Sequence, residues 1–283
     1  IALVTGCGNP KGMGRATALK LGKQGATVIV SDICRTDDRL TMEGALKLGD
    51  DFAALESLAG EIDGCGGKGK AMALDLMNAD QIVQLIKDIA DEFGQLDILV
   101  NNAGHLINKP FSEIKYDDYR DLMDVNFWGA FNLSQLLVKK LSNAKGQIIN
   151  ISSMGGVNYT SKFPGLSLYS SSKAALSVFT ECLAVELESE QVKVNALALG
   201  AVETEMLNTA FPGYVADTKA HEMASFIVEF VNSSSNIING QVIRVSKSVL
   251  DLIPLKLIDC MIGYSFIKIF KVLFTKETFI FSK

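Results

Sequence analysis

Two histidines, His105 and His221, are all that 283 residues contain. With so few imidazoles, a His-based triad or a His-rich metal site has little to draw on. The five cysteines (Cys7, Cys34, Cys65, Cys182 and Cys260) form no CxxC pair. An odd, scattered set reads as free thiols in a reducing compartment, not as a disulfide frame or zinc site. A basic excess is missing too: 27 Lys and Arg stand against 32 Asp and Glu, a net charge of −5. That argues against a nucleic-acid partner, because phosphates need a basic face. No apolar run approaches the roughly twenty residues that span a bilayer, and no signal peptide is expected. A soluble, cytoplasmic protein is the expectation. The chain opens on Ile1–Val4, already strand-like, so a Met and a few residues are expected to be lost from this end.

What is present is ordinary globular material, 48% hydrophobic and 21% charged, without internal repeats or low-complexity linkers. Short apolar or β-branched runs alternate with longer helical patterns. The strands are expected at Ile1–Val4, Thr27–Ser31, Lys70–Leu74, Asp97–Val100, Gln147–Ile151, Val192–Ala196 and Gln241–Val245. All are read as apolar on both faces, as strands between two helix layers should be. Helices are expected at Gly14–Gln24, Ala79–Phe93, Tyr116–Leu141, Ser171–Glu188 and His221–Val231. Repeated β-α units of this kind fold as a Rossmann-type doubly wound α/β domain, a parallel sheet of about seven strands with helices on both faces. Two stretches stand outside the alternation: a polar insertion at Arg35–Asp51, and the chain after Val245.

Directly after the first strand comes Thr5-Gly-Cys-Gly-Asn-Pro-Lys-Gly-Met-Gly14, then a helix. Glycines at Gly6, Gly12 and Gly14 let a backbone turn sharply and approach a pyrophosphate resting on N–H groups at a positive helix end. By itself such a loop is also a plain strand-to-helix turn. Asp32, ending Val28-Ile-Val-Ser-Asp32, strengthens the nucleotide reading. A carboxylate there accepts hydrogen bonds from adenosine ribose hydroxyls and repels a 2′-phosphate. NAD is therefore preferred, with NADP possible because Lys11 and Arg35 lie where they can meet a 2′-phosphate.

Further along stand Asn101-Asn-Ala-Gly104 after the fourth strand, Asn126 in Asp124-Val-Asn126, and Ser152-Ser153 after the fifth. Tyr169-Ser-Ser-Ser-Lys173 and Val194-Asn-Ala-Leu-Ala-Leu-Gly200 follow. This ordered set resembles the short-chain dehydrogenase/reductase family over about residues 1–245. Residues 1–248 are then expected to form one dinucleotide-binding and catalytic domain. The residues support the likeness independently. Tyr169 and Lys173, four apart on a helix, share a face. A phenol of pKa near 10 is a poor base at neutral pH, and an adjacent ammonium favours the phenolate, moving Tyr169 toward acid/base work.

The resemblance implies an NAD(P)-dependent oxidoreductase interconverting a secondary alcohol and a ketone. It implies that Tyr169 is the acid/base, that Ser153 holds the substrate oxygen, and that Asn126 fixes a water beside Lys173. It places Gly6, Gly12, Met13 and Gly14 at the pyrophosphate, Asp75 and Leu76 at the adenine, and Asn102, Ala103 and Gly104 along the adenosine. Tyr169 and Lys173 would also touch the cofactor, and Val202 and Thr204 would meet the nicotinamide carboxamide. It further implies a homodimer or homotetramer paired through the helices near Tyr116–Leu141 and Ser171–Glu188. Read from the residues alone, Asp75 can equally cap the following turn, and Asn101 can tie neighbouring strands.

Several features depart from the family form. Five residues separate Gly6 from Gly12, two more than usual. The Ser153-to-Tyr169 segment is about three residues longer, changing one wall of the substrate pocket. Leu199 stands where a proline is usual, which leaves that loop less rigid. The Thr204–His221 stretch is short for a lid, which predicts a more open site. Val245-Ser-Lys-Ser248 replaces an acidic residue and paired glycines. In the tail, residues 249–283, Phe266, Phe270 and Phe274 recur every fourth residue among Lys268, Lys271 and Lys276. That pattern reads as a membrane-surface helix, as a helix packed on the domain or a second subunit, or as a non-native end. A nucleotide-binding protein without turnover and a membrane-peripheral scaffold are the competing functions.

Overall fold

The structure, a computed structural model, describes residues 1–34, 52–234 and 237–247. The polar insertion, Arg35 with it, and the Phe-rich tail lie outside the described residues. The strands are β1 (Ala2–Thr5), β2 (Thr27–Asp32), β3 (Lys68–Ala73), β4 (Ile98–Asn101), β5 (Gln147–Ser153), β6 (Lys193–Leu199), β7 (Val202–Glu203), β8 (Thr218–Lys219) and β9 (Val242–Val245). The helices are α1 (Met13–Gly22), α2 (Phe52–Gly64), α3 (Ala79–Glu92), α4 (Tyr116–Met123), α5 (Gly129–Ala144), α6 (Ser167–Glu186), α7 (Glu205–Ala210) and α8 (Ala220–Ser234).

Seven strands form one parallel sheet in the order β3-β2-β1-β4-β5-β6-β9. The alternation of side chains along each strand explains the two helix layers. Ala2 and Val4 face one way, into a core completed by Leu21 of α1, Leu55, Leu58 and Ile62 of α2, and Ile227 and Val231 of α8. Leu3 faces the other way, into a core with Leu85 and Ile89 of α3, Leu133 and Leu137 of α5, and Leu183 of α6. The doubly wound fold is therefore as the alternation predicts.

Three elements differ from expectation. First, β3 is an edge strand, only partly buried and carrying Lys68 and Lys70. It is not apolar on both faces, and charge on an exposed edge discourages pairing with another chain. Second, the single helix expected over Tyr116–Leu141 is divided into α4, a π-helical turn at Asp124–Trp128, and α5. Such turns insert an extra residue and re-aim side chains, and here Asn126 is turned into the interior. Third, α6 begins at Ser167 rather than Ser171, which brings Tyr169 inside the helix. The strand order reverses between β1 and β4, and at such a switch point the loops leaving the carboxyl ends part to form a crevice.

Candidate functional site

The loop from β1 to α1 is held by its own backbone. Gly6 has φ +74°, and a Cβ there would lie 2.8 Å from Ala103 Cα. At Gly14 a Cβ would come within 2.2 Å of the Gly6 carbonyl oxygen, so the start of α1 rests directly on the end of β1. Asn102 fastens the arrangement: its Nδ2 donates to the carbonyls of Thr5 (2.8 Å) and Gly6 (3.1 Å). Thr5 Oγ1 accepts from the N–H groups of Asn102 and Ala103 at 3.1 and 3.0 Å. Asn9 folds the middle of the loop, its carbonyl taking Gly12 N–H (2.9 Å) and its Oδ1 taking Lys11 N–H (2.8 Å). The first turn of α1, at Met13 and Gly14, lacks acceptors four residues back. It carries no acidic residue, so its positive end is uncompensated.

Asp32 ends β2 beside this loop. Its Oδ2 accepts Gly8 N–H at 2.6 Å and its Oδ1 accepts Ile33 N–H at 2.7 Å. Burial raises its pKa above the ordinary carboxylate value, and the two N–H bonds act in the opposite direction. A carboxylate has about four acceptor directions, so both oxygens can accept further. Asp75 takes the capping role open to it from sequence, with Oδ1 accepting Met77 N–H at 2.9 Å; it also lines the same cavity. Leu76 is buried against Gly129, where a Cβ would meet it at 2.9 Å.

The reactive side chains converge at the ends of β4 and β5. Lys173 is buried and its Nζ donates to the Ile151 carbonyl at 2.9 Å. It lies 6.0 Å from the centre of the Tyr169 ring. Burial pulls its pKa down to about 8. Tyr169 is half-buried and shares the cavity wall with Ser153. Burial raises the phenol's pKa, and the Ser153 side chain opposes the rise. The lowering by an adjacent ammonium that the spacing suggests is thus outweighed by desolvation. Ser153 Oγ also accepts Gly155 N–H at 3.1 Å.

Asn126 stands behind this surface. Its Oδ1 accepts His105 N–H (2.7 Å), and its Nδ2 donates to the His105 carbonyl (2.8 Å) and to Ser172 Oγ (2.9 Å). Gly104 brings Asn126 and Lys173 together: a Cβ there would lie 3.3 Å from both Asn126 Oδ1 and Lys173 Nζ. Asn101 has the structural role, donating to Asn150 Oδ1 (2.8 Å) and Ser134 Oγ (3.1 Å).

One cavity of about 770 Å³ joins these parts. Of the residues singled out from sequence, Gly6, Gly12, Met13, Asp32, Asp75 and Leu76 lie on its wall, as do Asn102, Ala103 and Gly104. Ser153, Tyr169, Lys173, Val202 and Thr204 complete the set, while Gly14 and Asn126 support it from behind. The far end is apolar, with Phe163, Leu166, Met206, Leu207 and Phe211 on the wall, residues that no sequence motif marks. The short lid covers this end: α7 is capped by Thr204, whose Oγ1 accepts Leu207 N–H at 3.3 Å. Phe211 meets Phe163 edge-on at 6.3 Å, and Asn108 Nδ2 donates to the Ala210 carbonyl at 2.7 Å. In place of a proline, Leu199 pairs with Val245, and Gly200 N–H donates to the Val245 carbonyl at 2.8 Å. Among the described residues no three His, Cys, Asp or Glu side chains gather as a metal site, and no helix is long and apolar enough to cross a membrane.

A parallel sheet with its crevice at the β1/β4 switch, a glycine loop running into a helix start and a carboxylate ending β2 together define a dinucleotide-binding oxidoreductase fold. Comparison with known proteins agrees: residues 1–214 match the short chain dehydrogenase family. The 3-oxoacyl-[acyl-carrier-protein] reductase of Thermotoga maritima is 31% identical over 257 residues, 87% of this chain and 95% of that protein. The 3β-hydroxysteroid dehydrogenase of Mediterraneibacter gnavus is 33% identical over 73% of this chain and 67% of that protein. The crystal structure of acetoin dehydrogenase from Enterobacter cloacae superimposes with a TM-score of 0.68 at 30% identity, covering 87% of this chain and 93% of the other. The chain belongs to the short-chain dehydrogenase/reductase family. It is an oxidoreductase that acts on CH–OH groups with NAD or NADP.

Proposed function

We propose that the protein interconverts a ketone with an apolar body and the matching secondary alcohol, with Tyr169 as acid/base and NAD as the preferred dinucleotide. The observation that carries this reading is the meeting of Ser153, Tyr169 and Lys173 on the wall of one cavity, with Lys173 Nζ 6.0 Å from the centre of the Tyr169 ring. That cavity runs from the glycine loop to an apolar end. The residues fit a dinucleotide. Gly6 and Gly14 let the loop close tightly, since a Cβ at either would strike neighbouring backbone; the uncompensated start of α1 suits a pyrophosphate, and Asp32 suits unphosphorylated ribose. Met13, Asp75, Leu76, Asn102, Ala103 and Gly104 would line the adenosine side, and Val202 and Thr204 the nicotinamide. The bound nicotinamide supplies or accepts the hydride.

In ketone reduction the Tyr169 phenol gives its proton to the carbonyl oxygen, while Ser153 Oγ–H donates a hydrogen bond to the same atom. Burial keeps the phenol protonated at neutral pH, so the acid form needed for reduction is populated. In alcohol oxidation the same oxygen of Tyr169 takes the proton. Lys173, charged below about pH 8, stabilises the phenolate left behind. Asn126, with both polar ends committed to His105 and Ser172, fixes the backbone around Lys173. The uncharged walls at Phe163 and Phe211 favour an apolar body beside the carbonyl, in keeping with relatives named for 3-oxoacyl and 3β-hydroxysteroid groups. Exposed Leu136 on α5 and Val178 and Val185 on α6 support pairing of two or four copies through these helices.

Turnover of a ketone panel tests the reading, followed by the loss of NADH or NADPH absorbance. Apolar cyclic ketones and 3-oxoacyl thioesters are expected to react with NADH, ahead of sugars and 2-oxo acids. No consumption of either reduced dinucleotide with any carbonyl compound would refute it.

A further inference from the structure

Between Ser153 and Tyr169 runs the segment whose extra length the sequence showed, and its turn is organised around one lysine. Lys162 Nζ donates to the carbonyls of Val157 (2.6 Å) and Gly155 (2.7 Å) and to Thr160 Oγ1 (2.8 Å), with the Met154 carbonyl at 3.4 Å. An ammonium has three protons, and the three short contacts account for them. Thr160 Oγ1 is itself 2.5 Å from the Met154 carbonyl and 2.9 Å from that of Val157. The inner side of the turn is fixed differently. A Cβ at Gly155 would meet Ser170 Oγ at 2.8 Å, and one at Gly156 would meet Ala174 N at 2.6 Å. The turn is therefore pressed against α6 on one side and gripped by a cation on the other.

That grip reaches the reactive pair through one peptide. The Met154–Gly155 peptide has its oxygen held by the Thr160 hydroxyl, which Lys162 grips in turn, and by Val157 N–H at 3.2 Å, and its N–H donates to Ser153 Oγ at 3.1 Å. A hydroxyl that accepts at a defined lone pair has its own O–H direction restricted, and Ser153 shares the cavity wall with Tyr169, whose phenolate it favours. The other nearby cation, Arg244 on β9, donates to the Asn158 carbonyl at 2.8 Å. It engages the outer end of the turn, so the peptides flanking Gly155 depend on Lys162.

We propose that Lys162 is a positioning residue: its ammonium gathers the 154–160 turn and, through the Met154–Gly155 peptide, sets the Ser153 hydroxyl against Tyr169. The proposal rests on the Ser153–Tyr169 chemistry argued above, and it makes the inserted segment a working part of the site. Substituting Lys162 leaves every cavity-lining side chain in place and removes only the cation.

The test compares parent, Lys162→Met and Lys162→Ala proteins in ketone reduction with NADH. The kcat of both variants is expected to fall by about tenfold, with NADH affinity and melting temperature close to the parent's. Methylammonium is expected to restore turnover in Lys162→Ala and to leave the parent unchanged. Ultraviolet titration of the Tyr169 phenol, with the Tyr169→Phe protein subtracted, gives a readout that needs no turnover. Ser153 favours the phenolate, so displacing its hydroxyl moves that midpoint upward in Lys162→Met. A parent-like kcat and an unmoved Tyr169 midpoint in Lys162→Met would overturn the proposal. So would a loss of kcat that methylammonium does not restore and that parallels weakened NADH binding and a lower melting temperature. A parent inactive on every carbonyl compound contradicts the proposed function instead, while the phenol titration still decides the role of Lys162.

Discussion

The two ends of the cavity are built by different means. At the glycine-loop end the contacts are made by backbone: Gly6 against Ala103, Gly14 against the Gly6 carbonyl, Gly8 N–H on Asp32. There is no room for an added carbon, and the polar groups are paired at fixed distances. At the apolar end, side chains from three separate segments meet. Phe163 before α6 packs on Phe211 after α7, Asn108 bonds the Ala210 carbonyl, and Lys109 N–H donates to the Gly165 carbonyl at 3.0 Å. A backbone-built end is intolerant of change and suits a ligand that does not vary. A side-chain-built end can be retuned one residue at a time, which suits the part of the reaction that differs among relatives. Tyr169 sits where the two meet.

That contrast can be broken in ranked steps. Tyr169→Phe carries the largest expected effect, a loss of about a thousandfold in kcat, the upper part of the range for removing a general acid. Gly14→Ala comes next. Its new carbon meets the Gly6 carbonyl with no flexible side chain to yield, so the loop must shift at a cost of about 1–3 kcal/mol. NADH affinity is then expected to fall by about ten- to a hundredfold, while any rate measured at saturation changes little. Equal NADH affinity in parent and Gly14→Ala would dissolve the contrast at its rigid end.

Lys173→Met removes a buried cation. The native pKa of about 8 lies below the ordinary 10.5. Between these values the unfolded chain binds the proton that the native state has released, so this group's contribution to stability rises with pH. At pH 7 the charged form costs the parent about 3 kcal/mol. Lys173→Met is therefore expected to be the more stable protein at pH 7, with the gap closing toward pH 10. Urea midpoints at both pH values measure it, and a gap independent of pH contradicts the burial account.

Asp32→Ala is expected to weaken NADH by about tenfold and NADPH much less; an unchanged ratio overturns the preference for NAD. The smallest effect falls at the tunable end. Phe211→Ala should raise KM for an apolar ketone by about three- to tenfold and leave NADH binding as in the parent. Weakened NADH binding there would show that the two ends are not separable.

The sequence made Tyr169, Lys173, Ser153 and Asp32 legible because their chemistry resides in their side chains: Asp32 and Ser153 end strands, and Tyr169 and Lys173 lie four apart on one helix. The sheet was legible for a related reason: strands buried on both faces read as unbroken apolar runs. The π turn at Asp124–Trp128 escaped because a single extra residue does not interrupt the apolar pattern of a long helix. β3 was mistaken for a buried strand because its lysines lie on an edge that only the strand order reveals. Lys162 carries no motif because its partners are carbonyls, which every residue possesses. The apolar wall at Met206 and Leu207 belongs to a six-residue helix, too short to leave a periodic trace.

The account turns on Tyr169 being needed for the reaction and dispensable for binding the dinucleotide. The measurement that meets this directly is an NADH titration of Tyr169→Phe by fluorescence, followed by addition of ketone to the same sample with absorbance recorded. The expected result is an NADH affinity within about threefold of the parent's and almost no NADH consumption after ketone is added. Parent-like NADH consumption, or the loss of NADH binding together with turnover, would contradict it.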